Sequence, residues 1–267
     1  MTNLKRLGTK GSRSRKNAPD ISQDKWDSIF KKKEQIDPPA KPAAVFLYDF
    51  TGIMAEPWRK AGYDCYIVDR QHKEGIYEDP QRPGLFKVGA ELRTGWNLEP
   101  GIAERVCFLG SFPECTNVAV SGAAHFKKKG PRALALSLDL FATCRELAEK
   151  LGCPYFIENP VSTFSTYCGK PNYTFDPFEY GGYIDEAEAV HPTYPENIED
   201  RDGYTKKTCL WTGGGFVMPP KRPVPHQKGD SLQHSKLGGK SLKTKNIRSA
   251  TPRGFAEAVF QANGKKQ

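Results

Sequence analysis

The chain has 267 residues, 37% of them hydrophobic and 27% charged, enough to bury one sizeable core but short for two full domains. No run approaches the roughly 18 apolar residues that cross a bilayer, which excludes a membrane-spanning reading. Forty Lys and Arg against 31 Asp and Glu leave a formal charge of +9, a balance that favours a polyanionic partner such as nucleic acid.

Residues 1 to 17 carry Lys5, Arg6, Lys10, Arg13, Arg15 and Lys16 without an acid and almost without large apolar side chains, so 1–40 reads as a basic, disordered tail. It has no apolar stretch of the kind a secretory signal needs, and a cytoplasmic location is expected. The 7 cysteines form an odd set with no CxxC pair, which argues for reduced thiols and against a disulfide framework or a structural zinc. No metal is expected.

From residue 41 onward the pattern is strand, turn, helix. Ala43 to Phe50 is a short apolar run ending in Thr51-Gly52, followed by a helix-like Ala55 to Ala61 with Gly62 as its stop. Cys65 to Asp69, Val106 to Phe112 and Pro154 to Glu158 read as three further buried strands. Between the last two, Leu134, Leu138, Phe141, Ala148 and Leu151 recur at helical spacing over Arg132 to Lys150, closed by Gly152. This alternation predicts an α/β fold with a doubly wound, mainly parallel, Rossmann-like sheet. Ligands of such sheets sit at the carboxyl ends of the strands.

The chemistry-bearing residues fall at those ends: Gly52 after the first strand, Asp69 closing the second, Cys115 after the third and Glu158 closing the fourth. A glycine turn followed about 20 residues later by an acid suits a nucleotide or nucleoside cofactor, although no GxGxxG is present. Desolvation of Glu158 at a strand end would raise its pKa and let it donate a proton. Further on, Asp176 to Asp202 is acidic and would repel a phosphate backbone, whereas Lys221 to Arg253 is a basic loop region with phosphate-binding character. Thr251 before Pro252 reads as a helix N-cap, with the helix running to Asn263.

In order and spacing, from about Val45 to Asn263, these motifs resemble the DNA cytosine-5 methyltransferase family, in particular its short phage-encoded and bacterial members. The segments concerned are Asp49-Phe-Thr-Gly52, Val68-Asp69, Pro113 to Gly122, Glu158-Asn-Pro160, Lys206 to Trp211 and Arg248 to Ala256. The resemblance implies a monomeric enzyme in the cytoplasm (the host's, for a phage-encoded member) that binds DNA and flips out a cytosine. It would transfer a methyl group from S-adenosylmethionine to carbon 5.

It assigns Cys115 as the thiol that adds to carbon 6, Glu158 as the acid at ring nitrogen 3, and Lys206 and Lys207 as further catalytic positions. Phe50, Thr51, Gly52, Asp69, Arg70, Glu91, Pro113 and Thr251 would hold the cofactor. Ser121, Lys221, Arg222, Lys240, Lys243 and Lys245 would meet DNA, with 41–267 as the methyltransferase domain and 165–247 as a compact DNA-recognition insert. Three positions depart from the family: Glu114 replaces the proline before the nucleophile, Glu91 is longer than the usual Asp, and Lys206 and Lys207 stand for arginines. Two alternatives follow from the departures, transfer of another one-carbon group to a pyrimidine and a DNA-binding module that has lost catalysis.

Overall fold

The computed structural model describes residues 40–226, 229–238 and 241–264. Residues 1–39, and with them the basic tail, lie outside the described residues, as do Lys228 and Lys240 of the basic loop.

The central strand β1 (Ala43–Leu47) is buried over all five residues, as a strand covered on both faces must be. Its side chains alternate: Ala43, Val45 and Leu47 enter one core cluster and Ala44 and Phe46 the other. β2 (Asp64–Val68) and β5 (Val106–Ser111) run parallel to it on either side. Outward from β2 come β4 (Leu85–Gly89), parallel, and its antiparallel hairpin partner β3 (Gly75–Glu78). Outward from β5 come β6 (Tyr155–Pro160), parallel, then β8 (Thr208–Gly213) and the edge strand β7 (Tyr173–Phe175). β8 is antiparallel to both of its neighbours. The sheet order is β3-β4-β2-β1-β5-β6-β8-β7. The expected α/β, doubly wound, mainly parallel sheet is therefore present, with antiparallel strands at its two margins.

Helix α1 (Glu56–Lys60) and, at the far end of the chain, α7 (Arg253–Asn263) cover one face, where Trp58 meets Phe260 with ring centroids 5.2 Å apart. The other face is covered by α3 (Phe126–Leu151), whose Phe141 packs edge-on to Trp211 at 5.3 Å. Short helices α2 (Pro100–Ala103), α4 (Phe164–Tyr167), α5 (Leu232–Ser235) and α6 (Leu242–Ser249) lie in the connections. No helix among the described residues is long and apolar enough to cross a membrane.

Some sequence-derived boundaries need correction. Phe126–Leu151 is two helical segments: Gly130, at φ 74° and ψ 177°, breaks it, so the helix expected from Arg132 is the segment that follows Pro131, and a short turn from Phe126 precedes it. The first strand, expected to run to Phe50, stops at Leu47, and of the segment Lys206 to Trp211 only the part from Thr208 is strand. Thr251 is not the N-cap of α7: that position is Pro252, and the amide of Gly254 is served from a distance by Asp202 Oδ2 at 2.9 Å. The stretch 165–247 supplies β7 and β8 to the central sheet.

Candidate active site

With β4, β2, β1, β5 and β6 side by side, the strand order reverses between β1 and β5, and sheets of this kind take their ligands beyond the strands' carboxyl ends at such a point. One half of the candidate site is built on the loops that leave β1 and β2, the other on the loop that leaves β5 and on the last residues of β6.

On the β1 side, Tyr48 takes φ 58°, a left-handed conformation uncommon for a bulky residue and costing on the order of 1–3 kcal/mol. The chain is thereby turned so that Asp49 Oδ1 accepts from the Thr51 amide at 2.9 Å, the Thr51 hydroxyl at 3.0 Å and the Gly52 amide at 2.8 Å. Gly52 needs its φ of 72° to close this turn. Asp49 is buried, and its Oδ2 has no hydrogen-bond partner among the described residues. Burial pushes the pKa of Asp49 up, against the hydrogen bonds, which pull it down.

Phe50 is 38% exposed and stacks on His72 with centroids 5.3 Å apart. Burial pushes the His72 pKa down and so favours the neutral ring, whose Nε2 lies 3.4 Å from the Asp49 carbonyl oxygen. Beyond β2, buried Asp69 accepts from the Gln71 amide through Oδ1 at 2.7 Å. Phe50, Thr51, Gln71, His72, Arg82 and Tyr194 line a cavity of about 280 Å³ at this end of the sheet.

On the β5 side, Pro113 is buried and Cys115 half-buried in a tight turn, with the Cys115 carbonyl accepting from Val118 at 3.0 Å and Ala119 at 2.9 Å. This loop is tied to the residues that leave β6. Asn159 Nδ2 donates to the Pro113 carbonyl at 2.8 Å, the Val120 amide to Val161 at 2.9 Å, and the Thr163 amide to Val118 at 2.9 Å. Glu158 lies deep in the fold with part of its surface open, and burial holds its pKa up while Lys206 opposes the rise. The Cys115 thiol is pushed up first by burial and next by the Glu158 charge; Lys206 pulls it down, and Glu114 adds only the smallest upward push. Thiol, carboxyl and ammonium groups thus form one electrostatically coupled set.

No protein-family model matches the chain, and no curated protein shows significant similarity to it. Its function has to be read from its own side chains.

Not all residues expected at the site converge. Lys206 does, with its ammonium donating to the Arg248 carbonyl at 2.8 Å and its amide to Asp176 at 2.7 Å. Lys207 is exposed, and of the two site acids and thiols it bears on neither; its charge acts on Cys209. Glu91 is exposed and paired with Arg93. Glu114 is not packed against the thiol, because it is exposed and lies 3.7 Å from both Arg70 and Lys245. Thr251 is buried immediately before α7.

Among the expected DNA contacts, Ser121 is exposed in a 3-10 turn (Val120–His125) and Lys243 is exposed on α6. Lys221 is held by Glu179 at 2.6 Å, and the Arg222 guanidinium lies 4.3 Å over the Tyr183 ring. Lys240 is outside the described residues.

Two groups were missed by sequence reasoning. Asn159 was read as part of a motif with no role of its own, and nothing in its spacing announces a bond to Pro113. Lys127, Lys128 and Arg132 are exposed near the kink of α3 and have no ion-pair partner among the described residues. Their signal in the sequence is the run Lys127-Lys-Lys-Gly-Pro-Arg132, five residues from Gly122. A cavity of about 370 Å³ lies beside them, lined by Asn117, Lys127, Lys129, Thr163 and Tyr167.

Proposed function

We propose that the chain is a DNA cytosine-5 methyltransferase that uses S-adenosylmethionine. The observation that carries this reading is the joining of Cys115 and Glu158 across the ends of β5 and β6, fixed by the Asn159–Pro113 hydrogen bond and coupled electrostatically through Lys206.

The β1 side suits the cofactor on its own evidence. The unpartnered buried Asp49 Oδ2 is an acceptor for a cationic donor, the exposed Phe50 ring offers a face for a base, and Asp69 keeps a second carboxylate oxygen for ribose hydroxyls. When bound, the cofactor would supply an electrophilic methyl group. The residues of the chain supply the rest.

Carbon 5 of cytosine is a weak nucleophile until a thiolate adds at carbon 6. The Cys115 sulfur forms that bond while the Glu158 carboxyl proton engages ring nitrogen 3, so the ring electrons are driven toward carbon 5. After methyl transfer the carbon 5 proton leaves to a base, the carbon–sulfur bond breaks and the thiolate returns. Raised pKa values on both groups suit a proton-transfer pair: Glu158 stays protonated to higher pH than an exposed carboxyl, and Lys206 offsets the penalty on the thiolate. Phosphate grip falls to Lys127, Lys128 and Arg132, which have no ion-pair partner among the described residues, more than to Lys221 and Arg222, which are engaged by Glu179 and the Tyr183 ring.

The deciding test is incubation with duplex DNA and methyl-labelled S-adenosylmethionine, followed by mass spectrometry of the nucleosides. Label on 5-methylcytosine is expected. DNA containing 5-fluorocytosine should trap the wild-type chain covalently and leave Cys115→Ser free, because fluorine cannot leave as a proton. A product of another mass would move the reading to a different one-carbon transfer. No modified base across varied DNA, with DNA still bound, would leave a binding module.

A further inference from the structure

Glu114 stands between cations from two other segments. Its Oε2 is 3.7 Å from Arg70 Nη2 and its Oε1 is 3.7 Å from Lys245 Nζ. Arg70 lies just beyond β2, Lys245 is on α6, and Glu114 is on the loop that leaves β5. One side chain therefore spans the open end of the sheet at the point where the strand order reverses. Next to it, Asn246 Nδ2 of α6 donates to Gln71 Oε1 at 3.1 Å, and Gln71 lines the cavity that Phe50 and Thr51 also line. The opposite flank of α6 is anchored differently, by buried Thr244 and Ile247. The helix thus has a buried side and a polar edge, and Asn246 on that edge holds a residue of the cavity lining.

We propose that Glu114 is a positioning residue: a charged clasp that draws α6 over the cofactor cavity and fastens it to the loop carrying Cys115. All three side chains are well exposed, with relative accessibilities of 42% for Glu114, 62% for Arg70 and 50% for Lys245. Pairs in that setting are weak and salt-sensitive. Weakness suits the role, since a clasp that must release a spent cofactor after each turnover cannot hold tightly. The clasp also joins the two halves of the site, so that fastening α6 sets the thiol loop against the cavity at the same moment. The ligand's identity rests on the function proposed above; the fastening of α6 by Glu114 does not.

The test uses the full chain as wild type, Glu114→Gln, Lys245→Gln and the double variant. Amide hydrogen exchange of residues 242–249 in the ligand-free proteins should quicken in both single variants. Dissociation of S-adenosylmethionine should quicken by about two- to fivefold in each, a range set by the usual weakness of exposed pairs. The double variant should do no more than the larger single effect, because one interaction has been removed twice. At ~1 M salt, where screening acts within about 3 Å, wild type and variants should converge. Unchanged exchange of α6 in Glu114→Gln would overturn the clasp. Faster exchange with unchanged dissociation, or additive single effects, would overturn its control of the cavity. Failure of the wild type to bind S-adenosylmethionine would sink the proposed function, while the exchange rates would still decide the clasp.

Discussion

Asn159 donates its side-chain amide to the carbonyl oxygen of Pro113 at 2.8 Å, and the bond is buried. The residue after the carboxyl group thereby fixes the backbone two residues before the thiol. A reacting pair placed on separate loops needs such a tie, since a displacement of about 1 Å can cost on the order of 100-fold in rate.

Asn159→Ala should therefore leave the fold largely intact and cut the rate of base modification by at least tenfold. The buried Pro113 carbonyl would lose its donor, at a stability cost of about 1–3 kcal/mol. Circular dichroism melts alongside single-turnover rates would check this. A full rate with the expected loss of stability would show the tie to be structural only.

The thiol and carboxyl charges predict opposite shifts in two variants. Glu158→Gln removes an upward push on Cys115 and should lower the pKa of the thiol, whereas Lys206→Met removes a downward pull and should raise it. Rates of iodoacetamide alkylation against pH, followed by peptide mass spectrometry, would read Cys115 separately from the other thiols. With both groups intact, base modification should climb as pH passes the raised Glu158 value, level off, and fall above the raised Cys115 value. These apparent values belong to the coupled pair.

Replacing Lys127, Lys128 and Arg132 together by Gln should flatten the dependence of DNA affinity on salt. If each grips one phosphate, the slope of log affinity against log salt should drop by about 0.9 per residue on duplex DNA. Replacing Lys221 and Arg222 should change that slope less, because Glu179 and the Tyr183 ring already engage them. Equal slopes in both variants would relocate the phosphate grip.

Asp202 is buried, caps the start of α7 through Gly254, and has a pKa pushed up to about 6 by that burial. A carboxyl group whose folded value lies above its unfolded value favours the folded state when protonated. Its contribution is complete below about pH 4 and is lost as pH rises through about 6. Asp202→Asn should remove that slope from the stability profile over this window while keeping an acceptor for Gly254. Asp202→Ala should lose the cap as well, at about 1 kcal/mol. Urea titrations at pH 4, 5, 6 and 7 would separate the two effects.

The centre of the sheet was legible because its strands are buried over most of their length and read as apolar runs, as in Ala43–Leu47 and residues 65–68. The β3–β4 hairpin was not, because Gly75–Glu78 is mostly exposed and carries no run of that kind. At the site, Cys115 and Asp69 announced themselves by falling beyond strand ends, whereas Glu158, expected to close its strand, lies within β6, which runs on to Pro160. Their neighbours did not: Asp202 reaches Gly254 across 52 positions and Asn159 reaches Pro113 across 46, contacts that no local pattern encodes. Glu114 is adjacent to Cys115 in the chain, yet its carboxylate lies toward Arg70 and Lys245, which local sequence does not encode either.

The insertion of β8 between β6 and β7 sets an order of events at the ribosome. β1, β2, β4 and β5 are made early and can pair as they emerge, but Glu158 faces Leu210 across β6 and β8. At on the order of 10 residues per second, that partner is synthesised about five seconds later. Trp58 waits longer still, since Phe260 reaches it from the last helix. The nascent chain therefore carries its thiol for seconds before the carboxyl strand has its second neighbour, and a product that stops short of α7 leaves an aromatic face uncovered. Completion of α7 is therefore the step that closes the aromatic face around Trp58.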